Sequence, residues 1–180
     1  MAAGDKNDPN ITGMSYNSAR DELFLTDANN VVVRAMRVHD KARDLRDVYR
    51  APHDTSPYVW SVCHMCDSDT LLVCLWEDKK WLVALSRNGS EWREAQRVKT
   101  DGTGHISCAL SDSRVLIGDS TVSTYMELFR LESGSRIARL HCIHVPEKYN
   151  WFSATCGSDT LVAMTRARRK SFVTIAILNE

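Results

Sequence analysis

Four stretches of the chain read alike: Met14-Ser-Tyr-Asn-Ser-Ala-Arg-Asp-Glu-Leu23, His64-Met-Cys-Asp-Ser-Asp-Thr-Leu71, Ala109-Leu-Ser-Asp-Ser-Arg-Val115 and Thr155-Cys-Gly-Ser-Asp-Thr-Leu161. Each ends one apolar segment, turns on Ser and Asp, and starts a second apolar segment. Aligned on Leu23, Leu71, Val115 and Leu161, the copies stand 48, 44 and 46 residues apart. Such a period marks a repeated structural unit, and missing it misreads the whole fold.

Outward from these turns, strand signals dominate. Glu22-Leu-Phe-Leu-Thr26, Val31-Val-Val33, Thr70-Leu-Leu-Val-Cys-Leu75, Trp81-Leu-Val-Ala-Leu85 and Ser171-Phe-Val-Thr-Ile-Ala-Ile177 are short and rich in β-branched, aromatic and other apolar residues. Turn chemistry separates them at Asn29-Asn30, Asn88-Gly89, Asp101-Gly-Thr-Gly104, Glu132-Ser-Gly134 and Gly157-Ser158. Only Lys41 to Arg50 has some helical character, and it is too short and polar for a stable helix. Units of roughly 40–50 residues with four short strands each are the pattern of a β-propeller. A sandwich also spaces its strands closely, but has no reason to repeat one turn at this interval.

The expected fold is therefore all-β and propeller-like, with about four four-stranded blades, the last incomplete. Residues 1–10 are expected as a disordered tail, and the blades as 11–58, 59–104, 105–150 and 151–180. Strands run outward from the channel. They fall at Ile11–Tyr16, Glu22–Thr26, Asn30–Arg37 and Asp44–Arg50, then Val59–Met65, Thr70–Trp76, Lys80–Ser86 and Glu91–Val98. The third blade takes His105–Leu110, Arg114–Gly118, Thr124–Leu131 and Arg136–Ile143, and the fourth Trp151–Cys156, Thr160–Met164 and Ser171–Leu178.

Within this frame the chain resembles degenerate WD40 and NHL-like propeller repeats. Leu23-Phe-Leu-Thr-Asp-Ala-Asn-Asn-Val-Val-Val33 is similar to the middle hairpin of NHL or YWTD-type blades. Gly104-His105 before an inner strand, and Glu127-Leu-Phe-Arg-Leu-Glu-Ser-Gly-Ser-Arg136 after it, are similar to WD40 spacing. No Trp-Asp dipeptide closes a third strand; His39-Asp40 and Leu131-Glu132 stand nearest. The resemblance implies a propeller and carries no family-specific partner.

The charge balance is even, 23 basic against 23 acidic residues, so no global field draws nucleic acid or an acidic membrane. Neither is expected as a partner. No stretch reads as a signal peptide or as a membrane-spanning helix, which gives a cytoplasmic expectation. Cys63, Cys66, Cys74, Cys108, Cys142 and Cys156 are then expected as free thiols. Cys63-His-Met-Cys66 and His141-Cys-Ile-His144 carry zinc-type ligands. The blade assignment puts the first on an inner strand and the second on an outer one, so no metal and no cofactor are expected. Ser86-Arg-Asn-Gly-Ser-Glu-Trp92 is similar to the Asp-box of sialidase-type propellers, but is one residue short and has Asn for Asp. An ordinary hairpin with a packed Trp92 accounts for it.

Two functional classes remain. The first is a non-catalytic protein-interaction module, a scaffold or adaptor, that binds protein or peptide. Its face is built by the loops between blades and between second and third strands. That face would present His53, Asp54, Tyr58, Glu77, Lys79, Lys80, Tyr149, Trp151 and the basic group Arg166, Arg168, Arg169 and Lys170. Aromatic and basic residues together suit hot-spot contacts. The last strand, with Ser171, Val173, Ile175 and Ile177, would be an apolar edge completed by self-association or by a partner chain. The alternative is a channel-centred hydrolase or lyase of the six-bladed type. For that, His64 and His105 are the only titratable residues near inner strands, and no nucleophile–base pair or carboxylate pair stands out.

Overall fold

The computed structural model describes residues 8–40, 44–52, 58–76, 80–101, 105–110, 113–118, 125–144, 151–156, 160–167 and 170–177. For 105–110, 125, 141, 143–144, 151–156, 160–167 and 170–177 the description is of the backbone. One left-handed residue shapes the repeated turn. Asp21, Asp69 and Ser113 have φ of 55, 45 and 63°, and each stands directly before the second strand of its sheet. Short polar side chains suit that conformation because they bond to the local backbone.

The strands group into four antiparallel sheets, each in chain order. The first holds β1 (Ile11–Asn17), β2 (Glu22–Asp27), β3 (Val32–Arg37) and β4 (Arg46–Arg50). The second holds β5 (Tyr58–Met65), β6 (Thr70–Trp76), β7 (Lys80–Asn88) and β8 (Glu91–Thr100). The third holds β9 (His105–Leu110), β10 (Arg114–Gly118), β11 (Tyr125–Glu132) and β12 (Arg136–His144). The fourth has three strands, β13 (Trp151–Cys156), β14 (Thr160–Ala167) and β15 (Lys170–Ile177). Single 3-10 turns occur at Cys66–Ser68 and Ser133–Ser135. Among the described residues no helix is long and apolar enough to cross a membrane. The segment with helical character ends instead in the outer strand β4, whose Val48 and Tyr49 pack against the apolar core.

First strands follow one another, β1 against β5, β5 against β9 and β9 against β13, while the outer strands β4, β8 and β12 touch less. Sheets that meet along their first strands and splay outward are consecutive propeller blades. The apolar cores lie between them. Phe24, Val33 and Ala35 of blade one meet Val59, Val62, Leu71, Val73, Leu75, Val83 and Leu85 of blade two. The alternate residues of the same strands, Cys63, Leu72, Cys74, Leu82 and Ala84, meet Val115, Ile117, Phe129, Leu131 and Ile137 of blade three. Strand β6 is an unbroken apolar run because both of its faces are covered.

Two local devices set this packing. The β5–β6 register slips between Val59 and Ser61, leaving Trp60 as an extra residue and keeping Val59 and Val62 in one core. Gly13 lets β1 lie against β5, since a Cβ there would stand 3.0 Å from the Ser61 Cα and 3.1 Å from Thr26 Oγ1. Asp8 and Asn10 are tied to the turn after β2: Asn29 donates to the Asp8 carbonyl, and Asn10 N–H donates to Asp27.

Candidate functional site

One end of blade two, where the sequence places Tyr58 and Lys80, is defined by register. Tyr58, Trp76, Lys80 and Thr100 are successive cross-strand partners at the end of the sheet where β5 enters and β6 turns into β7. Tyr58 and Trp76 are 55 % and 39 % exposed, among the most exposed large apolar residues described. Their rings stand 6.5 Å apart, and Trp60 meets Trp76 edge-on at 6.1 Å. The bulge at Trp60 thus supplies the third ring of the cluster. Lys80 Nζ lies 3.5 Å from the Asp101 carbonyl.

Behind this row the blades are braced by a carboxylate. Glu127 is fully buried, accepts from Asp101 N–H at 2.9 Å and pairs with Arg139 at 2.8 Å. Arg139 also reaches Asp101 at 3.2 Å and covers the Phe129 ring.

Of the residues expected on this face, Tyr58 and Lys80 share the row just described. The backbone puts Trp151, Arg166 and Lys170 at the corresponding end of the fourth sheet, where Trp151 pairs with Arg166, Arg166 with Ser171 and Ala167 with Lys170. Ser171, Val173, Ile175 and Ile177 alternate along β15, the last strand of that sheet. His53, Asp54, Glu77, Lys79, Tyr149, Arg168 and Arg169 lie outside the described residues. Trp76 was missed. It ends a strand beside the charged loop Glu77-Asp-Lys-Lys80, and that adjacency was the available signal.

The zinc-type residues separate as the blade assignment expected: Cys63 and Cys66 belong to blade two, His141 and His144 to the outer strand of blade three. Cys63 and Cys74 are buried thiols and Cys66 and Cys142 exposed ones, and burial pushes the Cys74 thiol up to about 12. Among the described residues, no three His, Cys, Asp or Glu side chains gather as metal ligands. His64, one of the two histidines weighed for channel chemistry, is packed between blades one and two. It stacks on Phe24 at 5.7 Å, and its Nε2 lies 3.0 Å from Asp69 Oδ1.

The opposite end of the blades carries a polar cluster that sequence reading did not assemble. The hairpin turn in Ser86–Trp92 is Gly89-Ser90, one residue later than Asn88-Gly89, with Asn88 paired to Glu91 and Gly89 at φ 64°. Arg87, just before this turn, reaches blade one and donates to Glu22 at 2.7 Å. Arg46 donates to the same Glu22 oxygen at 2.6 Å. Burial alone would raise the Glu22 carboxyl, but the two guanidiniums outweigh it and hold it below the ordinary range. Arg87 also covers the Trp92 ring at 4.9 Å, and Trp92 meets Phe24 edge-on. The packed Trp92 expected from the sequence is thus present, with a cation above it.

No protein-family model matches the chain, and no curated protein matches it. Solved structures do. Hydrazine synthase of Kuenenia stuttgartiensis superposes with a TM-score of 0.71 at 14 % identity, over 98 % of this chain and 48 % of that one. Sqt1 of Saccharomyces cerevisiae gives 0.61 at 9 % identity, over 87 % and 42 %. The periplasmic gluconolactonase PpgL of Pseudomonas aeruginosa gives 0.60 at 17 % identity, over 76 % and 40 %. The chain spans less than half the length of each. Its fold is that of part of a β-propeller, and likeness at these identities extends to the fold alone.

Proposed function

We propose that the chain is a protein- or peptide-binding propeller module of the cytoplasm, and that Tyr58, Trp60 and Trp76, with Lys80 beside them, are its contact face. The observation that carries this reading is the aromatic cluster, with Tyr58 and Trp76 exposed at the end of the sheet. Rigid aromatic rings bury a large area at small entropic cost, which is why they dominate binding hot spots. Trp151, Arg166 and Lys170 at the same end of the fourth sheet extend the face, with basic groups for acidic side chains of a partner.

Assembly is the second half of the proposal. Met14 and Tyr16 of β1 share one face of the strand and are 69 % and 46 % exposed, on the flank that a neighbouring blade covers between the other sheets. Among the described residues the fourth sheet has three strands with β15 outermost, and a pairing strand there is part of the proposal. A second copy supplying blades to both flanks would make an eight-bladed ring with two-fold symmetry.

The test pairs Tyr58→Ala with Trp76→Ala in one protein. Partner proteins cross-linked to the wild type should be lost from the double variant, while its melting temperature stays within a few degrees. Retention of the same partners, at undiminished affinity, would remove this face from the reading.

A further inference from the structure

We propose that the cavity between the turns of blades one and two binds a phosphate monoester dianion. The cavity, of about 340 Å³, is lined by Arg20, Glu22, Arg37, Arg46, Arg87 and the Gly89-Ser90 turn. It lies at the end of the blades opposite the aromatic row. Four guanidiniums come from three turns and strands of blade one and one strand of blade two. Two carboxylates oppose them. Glu22 is shared by Arg46 and Arg87, and Asp69, just behind, pairs with Arg20 at 3.1 Å and lies 3.8 Å from Arg87. Glu91 is paired with Arg93, and Asp21, hydrogen-bonded to Tyr16 and His39, is ionised but does not line the cavity.

Among the lining residues and Asp69, four cations face two anions, an excess of two positive charges at the cavity wall. Arg87 makes that excess unusual, because its side chain is only 8 % exposed and its Nε and Nη1 have no hydrogen-bond partner. Its charge is met by Glu22 at 2.7 Å, so Arg87 brings unused donors to the cavity rather than net charge. Arg20, Arg37 and Arg46 are exposed at the rim. Arg37 is the cross-strand partner of Glu22 and has no ion pair among the described residues. Most rim N–H groups are therefore unspent.

The donor chemistry selects the ligand. Planar guanidiniums offer forked N–H pairs that match the oxygens of a phosphate or carboxylate. A single carboxylate is satisfied by one fork and cancels one charge. A phosphate monoester near neutral pH carries close to two charges and several acceptor oxygens, which matches both the excess and the number of rim arginines. Its source is either a free small phosphate or a phosphorylated side chain of a partner.

The experiment titrates the isotope-labelled full chain with inorganic phosphate at low ionic strength and follows the Trp92 indole resonance. Trp92 is a reporter because it lies under Arg87. A saturable shift with one site is expected. Arg37→Gln should weaken binding about tenfold or more, whereas Arg136→Gln, on blade three, should leave it unchanged. Among the described residues the Arg37 side chain holds no ion pair or hydrogen bond, so its loss should not unfold the blade. A phosphoserine peptide that binds more tightly than inorganic phosphate would assign the source to a phosphorylated protein, and equal affinity would assign it to a small phosphate. No saturable shift, equal affinity in Arg37→Gln, or acetate binding as tightly as phosphate would each overturn the proposal.

Discussion

At the scale of single residues, Glu22 is the most consequential polar group described. It is 3 % exposed and one of its oxygens accepts from guanidiniums of two blades. Removing one member of a buried pair leaves the other charge uncompensated, and Glu22→Gln should cost about 3 kcal/mol, measured by urea denaturation. The sign of its pH dependence follows from its depressed carboxyl. A depressed group contributes its full stabilisation above the unfolded value of about 4.3 and loses it as pH falls through the folded value. Asp27 and Glu94 are also depressed, their hydrogen bonds and arginines outweighing burial. Stability should therefore fall steeply below about pH 4, and the Glu22→Gln variant should show a shallower decline. Thiols offer a second check. In native protein at pH 8, Cys66 and Cys142 should react with a thiol reagent within minutes, while Cys63 and Cys74 should stay protected until unfolding. Rapid labelling of Cys74 would contradict its place between blades two and three.

Elements show what was legible and what was not. The repeated turn could be read because its physical cause is local: a left-handed Asp or Ser sits before each second strand, at Asp21, Asp69 and Ser113. Strand bounds followed for the same reason; β6, β9, β10 and β13 begin and end where the apolar runs do. Tyr58 and Lys80 could be placed on one end because a two-residue period fixes register once the turns are known. The arginine cavity was illegible, since Arg20, Arg37, Arg46 and Arg87 are scattered over 68 positions and meet only after two blades pack. The Trp60 bulge was likewise hidden, because nothing in Tyr58-Val-Trp-Ser-Val62 marks which residue is extra. Gly13 makes a sharper test of strand packing. Its neighbours across the blade boundary are backbone atoms that cannot rotate away, so Gly13→Ala should destabilise by about 1–3 kcal/mol. An unchanged melting temperature would mean that β1 and β5 are not in close contact.

For the molecule as a whole, the testable quantity is association. Val173→Lys with Ile175→Lys places charges on the last strand and should convert an assembled species to monomer in sedimentation velocity, with the β-type circular dichroism spectrum retained. A wild-type chain that stays monomeric at all concentrations would refute assembly between copies. Blade two carries a further consequence. Its middle strands present Leu71, Val73 and Leu75 to one core and Leu72 and Cys74 to the other. Neither neighbouring blade can detach without uncovering one side of the same strand. The amides of β6 should therefore be among the slowest to exchange with solvent, since opening one neighbouring blade uncovers only one face of the strand. Solvent exchange that quickens from the two interior blades toward both flanks would be the kinetic imprint of strands shared between two cores.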